Sequence, residues 1–349
     1  MSVKHVYWLS DIAQGDNGTF GRKCANLGEM SRLGMPVPDG FAIARGAQEW
    51  ALQETGARDE IAELVRRVGE PTDCRAQAEL SREIRAIIEG KDLPPVLSSS
   101  IVELYDEMCA RRGEEVAVSV RSAGVVSHPG MYETYLNMRG REQVLDAVKR
   151  VWGSTFNSRT IAHRVQQGQP IVDSPYIGVG VLEMVDARSA GVCFTVHPVD
   201  GDLDRAVIEA NWGLGESCVS GQVSVDLYVV DKKSLSTLEK TLGEKKLQIV
   251  ASGNGVHEEE VPAEKRCEYV LSDSEVAEIV RLSKLLEDHF GQPQDVEWAI
   301  DAGRPFPENV YLLQTRSVVG VQPQEYKTEK PDPLADLVGS FFVPSRPPR

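Results

Sequence analysis

Two alternating runs near the C-terminal end set the pattern. Gln294-Asp295-Val296-Glu297-Trp298-Ala299-Ile300-Asp301 and Val310-Tyr311-Leu312-Leu313-Gln314-Thr315-Arg316 both have the two-residue period of a strand. Successive strand side chains face opposite ways, so Asp295 and Glu297 share one face while Val296 and Trp298 share the other. The same period puts Leu312, Gln314 and Arg316 on a common face. Gly303 through Asn309, between the runs, is rich in turn formers, which predicts an antiparallel hairpin.

Upstream the period changes. Lys4 to Leu9 fits a short strand, and a glycine-rich stretch from Gly15 to Gly21 leads into a helix that begins near Lys23. Leu27, Met30 and Leu33 are its apolar side, and Gly34 with Pro36 ends it. A strand at 37–43 precedes helical spacing through residues 46–112, broken at Gly69-Glu70-Pro71 and between Gly90 and Pro95. Val116 to Gly124 is a β-branched strand, 135–138 another, and helices are expected at 141–153 and 155–167. From Tyr176 the chain turns β-rich, with runs at 177–185, 191–196, 206–211 and 223–231. Lys240 to Gly255 reads as a charged, mobile excursion, and Ser272-Asp273-Ser274-Glu275 caps a helix reaching Phe290. The fold class is therefore α/β (α+β). Three parts are expected: a helix-rich first lobe at 1–175, a β-rich second lobe with the closing hairpin at 176–320, and a Pro-rich tail at 321–349. Within the tail, Leu334 to Val343 is a candidate docking element.

Charge narrows the choice of partners. The chain carries 53 acidic against 38 basic residues, a formal charge of -15, which argues against nucleic acid or an anionic membrane as its main partner. Six scattered cysteines form no Cys-x-x-Cys pair, as in a reduced, cytoplasmic protein. No apolar stretch is long enough to span a bilayer.

The hairpin then acquires chemical meaning. Asp295 and Glu297 offer the hard oxygen ligands that magnesium takes, and the Arg316 fork suits phosphate oxygens. An ordinary strand with solvated charges has the same pattern. Lys23, where the glycine-rich stretch meets a helix N-terminus, can hold phosphate, and Arg121 at a strand end beside a loop can do the same. Three glycines, Gly213, Gly215 and Gly221, let backbone amides approach phosphate closely or make a simple tight turn.

Taken together and in order, the blocks GRKCANLGEMSRLGMPVPDGFAI, VAVSVRSAG, HPGMYETYLN, GVCFTVHP, NWGLGESCVSG, QDVEWAID and LLQTR resemble the nucleotide-binding domain shared by pyruvate phosphate dikinases and phosphoenolpyruvate synthases. The resemblance covers about residues 4–320 and implies a two-lobed ATP-grasp fold that clamps ATP with magnesium or manganese. It makes Lys23 and Arg121 ligands of the phosphates, and lines the nucleotide cleft with Gly213, Gly215 and Glu216. It gives Asp295 and Glu297 to the metal, and makes Gln314 and Arg316, with Arg121, the groups that orient the transferring phosphoryl. Two blocks depart from the family pattern. Gly21-Arg22-Lys23-Cys24 stands where Gly-Gly-Lys-Gly is usual, and Arg121-Ser122-Ala123 where Arg-Ser-Ser or Arg-Ser-Asp is usual.

Such families use a histidine on a swivelling domain, in a Gly-Gly-x-Thr-Ser/Cys-His setting. None of His5, His128, His163, His197, His257 and His289 has it. The resemblance thus implies an ATP-binding subunit beside a larger subunit that carries the phosphohistidine and binds the small-molecule acceptor. In size the chain is similar to the ATP-binding subunits of phenylphosphate synthases, so phenol is the expected acceptor. The alternatives are pyruvate in a split phosphoenolpyruvate synthase, an antibiotic phosphotransferase, or an ATP-sensing subunit without turnover.

Overall fold

The computed structural model describes residues 4–125, 131–219, 224–253 and 255–320. His128, the end of the segment from Gly213 to Gly221, and the C-terminal tail with its expected docking element lie outside the described residues. The first lobe is built on β1 (Val6–Trp8), β2 (Gly40–Ile43), β3 (Val118–Ala123), β4 (Thr134–Met138) and β5 (Gly178–Glu183). Its sheet has the order β1-β2-β5-β3-β4, with antiparallel neighbours throughout. Around it run α1 (Asn17–Phe20), α2 (Arg22–Arg32), α3 (Arg45–Glu54), α4 (Ala57–Val68), α5 (Cys74–Glu89), α6 (Pro95–Arg112), α7 (Gly140–Gly153) and α8 (Ser158–Gln166). The apolar spacing read along the helices is the buried side: Ile61 and Leu64, Leu80 and Ile84, Ile101 and Tyr105 join Phe41, Val120 and Trp152 in one core.

The second lobe comprises β6 (Ala187–Phe194), β7 (Arg205–Trp212), α9 (Glu216–Val219), β8 (Asp226–Asp231), β9 (Thr237–Thr241), β10 (Leu247–Ser252), β11 (Gly255–Glu260), α10 (Ala263–Arg266), α11 (Asp273–Phe290), β12 (Gln294–Asp301) and β13 (Val310–Ser317). Its six-stranded sheet has the order β13-β12-β6-β7-β8-β9, and β10 and β11 form a separate hairpin. Helix α11 starts with the capping box seen in the sequence: the Ser272 hydroxyl accepts from Glu275 N–H, and the Glu275 carboxylate accepts from Ser272 N–H. Its apolar side, Val276, Ile279, Val280 and Leu286, packs with Val296, Trp298, Ile300 and Leu312 in a second core. Helix α2 also buries Leu27 and Met30 there, and the Asn26 side chain donates to Thr315 O at 2.8 Å. The lobes are thereby joined along the back of the β12–β13 hairpin.

Two expectations change. The strand at 178–183 pairs between β2 and β3, so the first sheet extends beyond the expected division at 175. Its partners are more than fifty residues away, and a run buried from Gly178 to Leu182 has no local feature that names its sheet. Lys240 to Gly255, expected as a charged, mobile excursion, completes β9 and contains β10. Among the described residues no helix is long and apolar enough to cross a membrane.

Candidate active site

The charged groups converge because of backbone contacts at two places. Gly21, at φ +81°, caps α2 against the end of β3; a Cβ there would lie 2.0 Å from Ala123 O, so only glycine permits the approach. Arg22 N–H also donates to Gly124 O at 2.9 Å. The first turn of α2, with Lys23, is therefore held beside Arg121 on β3. The second place is the hairpin. Asp295 stands opposite Arg316 and Glu297 opposite Gln314, and a bulge follows between Glu297 and Trp298. Leu313 is the extra residue, so Trp298 pairs with Leu312. This corrects the simple alternation: Leu312 turns into the core with Trp298, whereas Gln314 and Arg316 remain with the two carboxylates.

Side-chain bonds tie the groups together across the lobes. Arg121 donates to Glu297 Oε2 at 3.1 Å, to Leu313 O at 3.3 Å and to Gln314 Oε1 at 3.5 Å. Gln314 Nε2 donates to Glu297 Oε1 at 2.8 Å, and Arg316 Nε donates to Asp295 Oδ2 at 2.7 Å. Both ion pairs are partly shielded, with Arg121 and Glu297 side chains 18% and 21% exposed and Asp295 7%. The Lys23 ammonium is brought down to about 8, first by burial and then by the neighbouring Arg121 charge, against the opposing pull of Glu297. The Asp295 carboxyl is pushed up by burial and by Glu297, while Arg316 holds it down.

A cavity of about 380 Å³ opens between the lobes. Lys23, Arg121 and Glu297 make its charged end; Leu182, Met184, Val185 and Leu313 make an apolar wall; Leu214, Gly215 and Glu216 cover another side. Glu216 is open to solvent, yet the cleft desolvates its carboxyl enough to raise it, with Arg121 opposing. Of the residues singled out in the sequence, Lys23, Arg121, Gly215, Glu216 and Glu297 line this space. Gln314 supports Glu297 and Arg121 from beside it, and the Asp295–Arg316 pair lies one step further along the hairpin, outside the cavity wall. Gly213 does not line the cavity; at φ +72° it packs against β10, where a Cβ would meet Ile249 O at 2.3 Å.

Other residues near the site were not singled out in the sequence. The segment after β5, Met184-Val185, connects the lobes and faces the cavity, while Glu183 is held by Arg112 at 2.6 Å. Glu209 on β7 shares the sheet face of Glu297 through Val192, and burial and then the Asp295 charge raise its carboxyl. The alternation of 205–212, with Ala206, Ile208 and Ala210 buried, could have put Glu209 on the opposite, cleft-side face.

The donor set suits a hard divalent cation. Asp295 and Glu297 supply carboxylate oxygens on one face, and Gln314 adds an amide oxygen. Among the described residues no cluster of three or more His, Cys, Asp or Glu is gathered to hold a metal by itself. Magnesium takes one or two carboxylates and completes its shell with water and substrate phosphates, so Asp295 and Glu297 are the residues that would hold it.

A family model described as the pyruvate phosphate dikinase AMP/ATP-binding domain matches residues 18–335. The chain is 38% identical over 334 residues to a probable phosphoenolpyruvate synthase of Methanothermobacter thermautotrophicus, covering 94% of this chain and 48% of that protein. It is 40% identical over 332 residues to a probable phosphoenolpyruvate synthase of Archaeoglobus fulgidus, covering 93% and 43%. The phosphoenolpyruvate synthase of Aeropyrum pernix is 33% identical over 381 residues, covering 98% and 46%. The chain thus spans about half the length of these curated relatives. Their names refer to phosphoenolpyruvate and not to phenol, so the expected phenol acceptor has no support from them. With two antiparallel sheets closing on a charged cleft, and with the match running through nearly all of the described residues, this α+β, ATP-grasp-like chain belongs to the pyruvate phosphate dikinase AMP/ATP-binding domain family.

Proposed function

We propose that this chain binds ATP with magnesium and is the nucleotide-binding part of a dikinase-type phosphotransferase whose final acceptor is pyruvate. The observation that carries this reading is the meeting of Lys23 and Arg121 from the first lobe with Glu297 and Gln314 from the second at one end of the cavity. The purine takes the apolar wall at Leu182, Met184 and Val185, and the phosphates take the charged end. Asp295 and Glu297 are the residues that would hold magnesium or manganese, which supplies charge neutralisation on the phosphate oxygens.

The residues of this chain then perform binding and orientation. Lys23 and Arg121 neutralise phosphate oxygens, and Arg316 extends the positive surface along the hairpin toward the outer phosphates. Gln314 keeps Glu297 and Arg121 in register. A histidine nitrogen on a larger partner subunit attacks the β-phosphorus, and AMP leaves. Water attacks the γ-phosphorus of the resulting pyrophosphohistidine, and inorganic phosphate leaves. The remaining phosphohistidine passes its phosphoryl group to the enolate oxygen of pyruvate. Little covalent work falls to this chain, so positioning and charge stabilisation are its contribution.

The relatives' names support pyruvate over phenol as acceptor. The test is nucleotide analysis of ATP and magnesium incubated with the chain and its copurifying larger protein, with pyruvate or phenol added. Pyruvate-dependent AMP is the expected product; phenol-dependent AMP overturns the acceptor, and ADP overturns the dikinase chemistry.

A further inference from the structure

One side chain ties the tip of the β10–β11 hairpin to the opposite lobe. Asn137 on β4 is 3% exposed, and its Nδ2 donates to Gly253 O at 2.9 Å and to Gly255 O at 3.0 Å. Its aim has a backbone cause. Val118 pairs with Met138 and Val120 with Tyr135, so Leu136 and Asn137 together oppose the single residue Ser119. Such a bulge bends an edge strand and redirects a side chain, and β4 is the edge of its sheet. Asn137 has φ +58°, a left-handed conformation that asparagine tolerates better than most residues.

The stem of the same hairpin grips the glycine-rich segment. Leu214 N–H donates to Ile249 O at 2.8 Å, Asn211 Nδ2 donates to Leu247 O at 2.9 Å, and Gly213 packs flat on Ile249. At the hairpin's root, Lys245 and Asp226, both fully buried, pair at 2.5 Å. The arm is thus fixed at its root in the second lobe, bonded along its stem to the backbone leading into Gly215 and Glu216, and hooked at its tip to the first lobe. Strand β4 also sends Thr134 and Leu136 to the cavity wall. Asn137 therefore sits where two walls of one cavity are held together, without itself lining it.

We propose that Asn137 is a positioning residue for nucleotide binding: by holding the arm against the first lobe, it keeps the Leu214–Glu216 backbone over the nucleotide and slows nucleotide release. The proposal rests on the nucleotide reading of the cavity. It concerns a residue that acts through the arm, so its signature is in release kinetics and in loop protection rather than in global stability.

Two variants separate the amide from the backbone. Asn137→Gly keeps the left-handed conformation and deletes the donor; Asn137→Asp keeps the shape and turns a carboxylate oxygen toward two carbonyls. The full chain is mixed with magnesium and a fluorescent N-methylanthraniloyl ATP, and release is followed by stopped-flow chase with ATP. In parallel, hydrogen exchange is measured at the Leu214 amide without nucleotide. Both variants are expected to release the probe about tenfold faster, which is the loss of about 1.4 kcal/mol, and to exchange the Leu214 amide about tenfold faster. Unchanged release together with unchanged exchange overturns the proposal, as does a variant that lowers only the unfolding midpoint. If the unaltered chain fails to bind the probe, the nucleotide reading falls, and accelerated Leu214 exchange in the variants still supports the hook while unchanged exchange overturns it.

Discussion

Lys23 should make nucleotide affinity fall with pH from just above neutrality. Its ammonium titrates near 8 because burial and the Arg121 guanidinium disfavour its charge more than Glu297 favours it. A triphosphate beside Lys23 reverses that balance and returns the bound-state value toward the ordinary lysine range. Between the two values the free protein has lost the proton that the complex holds, so binding takes up close to one proton. At pH 9 only about a tenth of Lys23 is charged in the free protein, and affinity for ATP with magnesium should be about tenfold weaker than at pH 7. The sign for stability is the opposite. The folded value lies below that of the unfolded chain, so the unfolded chain binds more protons between about 8 and 10.5, and ligand-free stability contributed by Lys23 rises with pH across that window. Cys24, adjacent to Lys23 and pushed up to about 12 by burial, does not titrate there. The assay is calorimetric titration from pH 7 to 9.5 in buffers of different ionisation enthalpy. Lys23→Arg stays charged throughout and should remove both the slope and the proton uptake. A flat profile for the unaltered chain, or the same slope in Lys23→Arg, would show that Lys23 does not set the pH dependence.

Arg316→Ala should leave folding intact and reduce AMP formation about a hundredfold, on the scale of losing one preorganised charge donor, as measured by single-turnover product analysis. Turnover within a few-fold of the unaltered chain would remove Arg316 from the transfer step. Lys245→Met leaves the Asp226 carboxylate buried without its cation and should cost about 3–5 kcal/mol in urea unfolding. A loss below about 1 kcal/mol would show that Gly243 N–H and Val270 N–H, which also bond Asp226, suffice to hold it.

Much of this site was legible because strand alternation is local. Asp295 and Glu297 fall on one face in the structure, and their partners Arg316 and Gln314 are those the hairpin implied. Alternation fails at Leu312, where a single bulged residue, Leu313, reverses the face of everything on its far side, and neither Leu312 nor Leu313 differs in chemistry. Non-local pairing hid more. Nothing in Gly178 to Glu183 says that it closes the first sheet between β2 and β3, and nothing near Asn137 says that its amide meets carbonyls more than a hundred residues away. Lys23 was visible as a residue at a helix start, but its depressed titration comes first from burial and then from the Arg121 charge, neither of which is a local feature of the sequence.

Under the proposed dikinase chemistry the cleft presents the β-phosphorus of ATP to the acceptor histidine. The direct measurement is transfer from ATP labelled at the β-phosphorus, in the presence of magnesium and the proposed histidine-bearing protein, followed by isolation of phosphohistidine. Label is expected on the histidine, with one equivalent each of AMP and unlabelled phosphate. Label retained in ADP, with an unlabelled phosphohistidine derived from the γ-position, would contradict it.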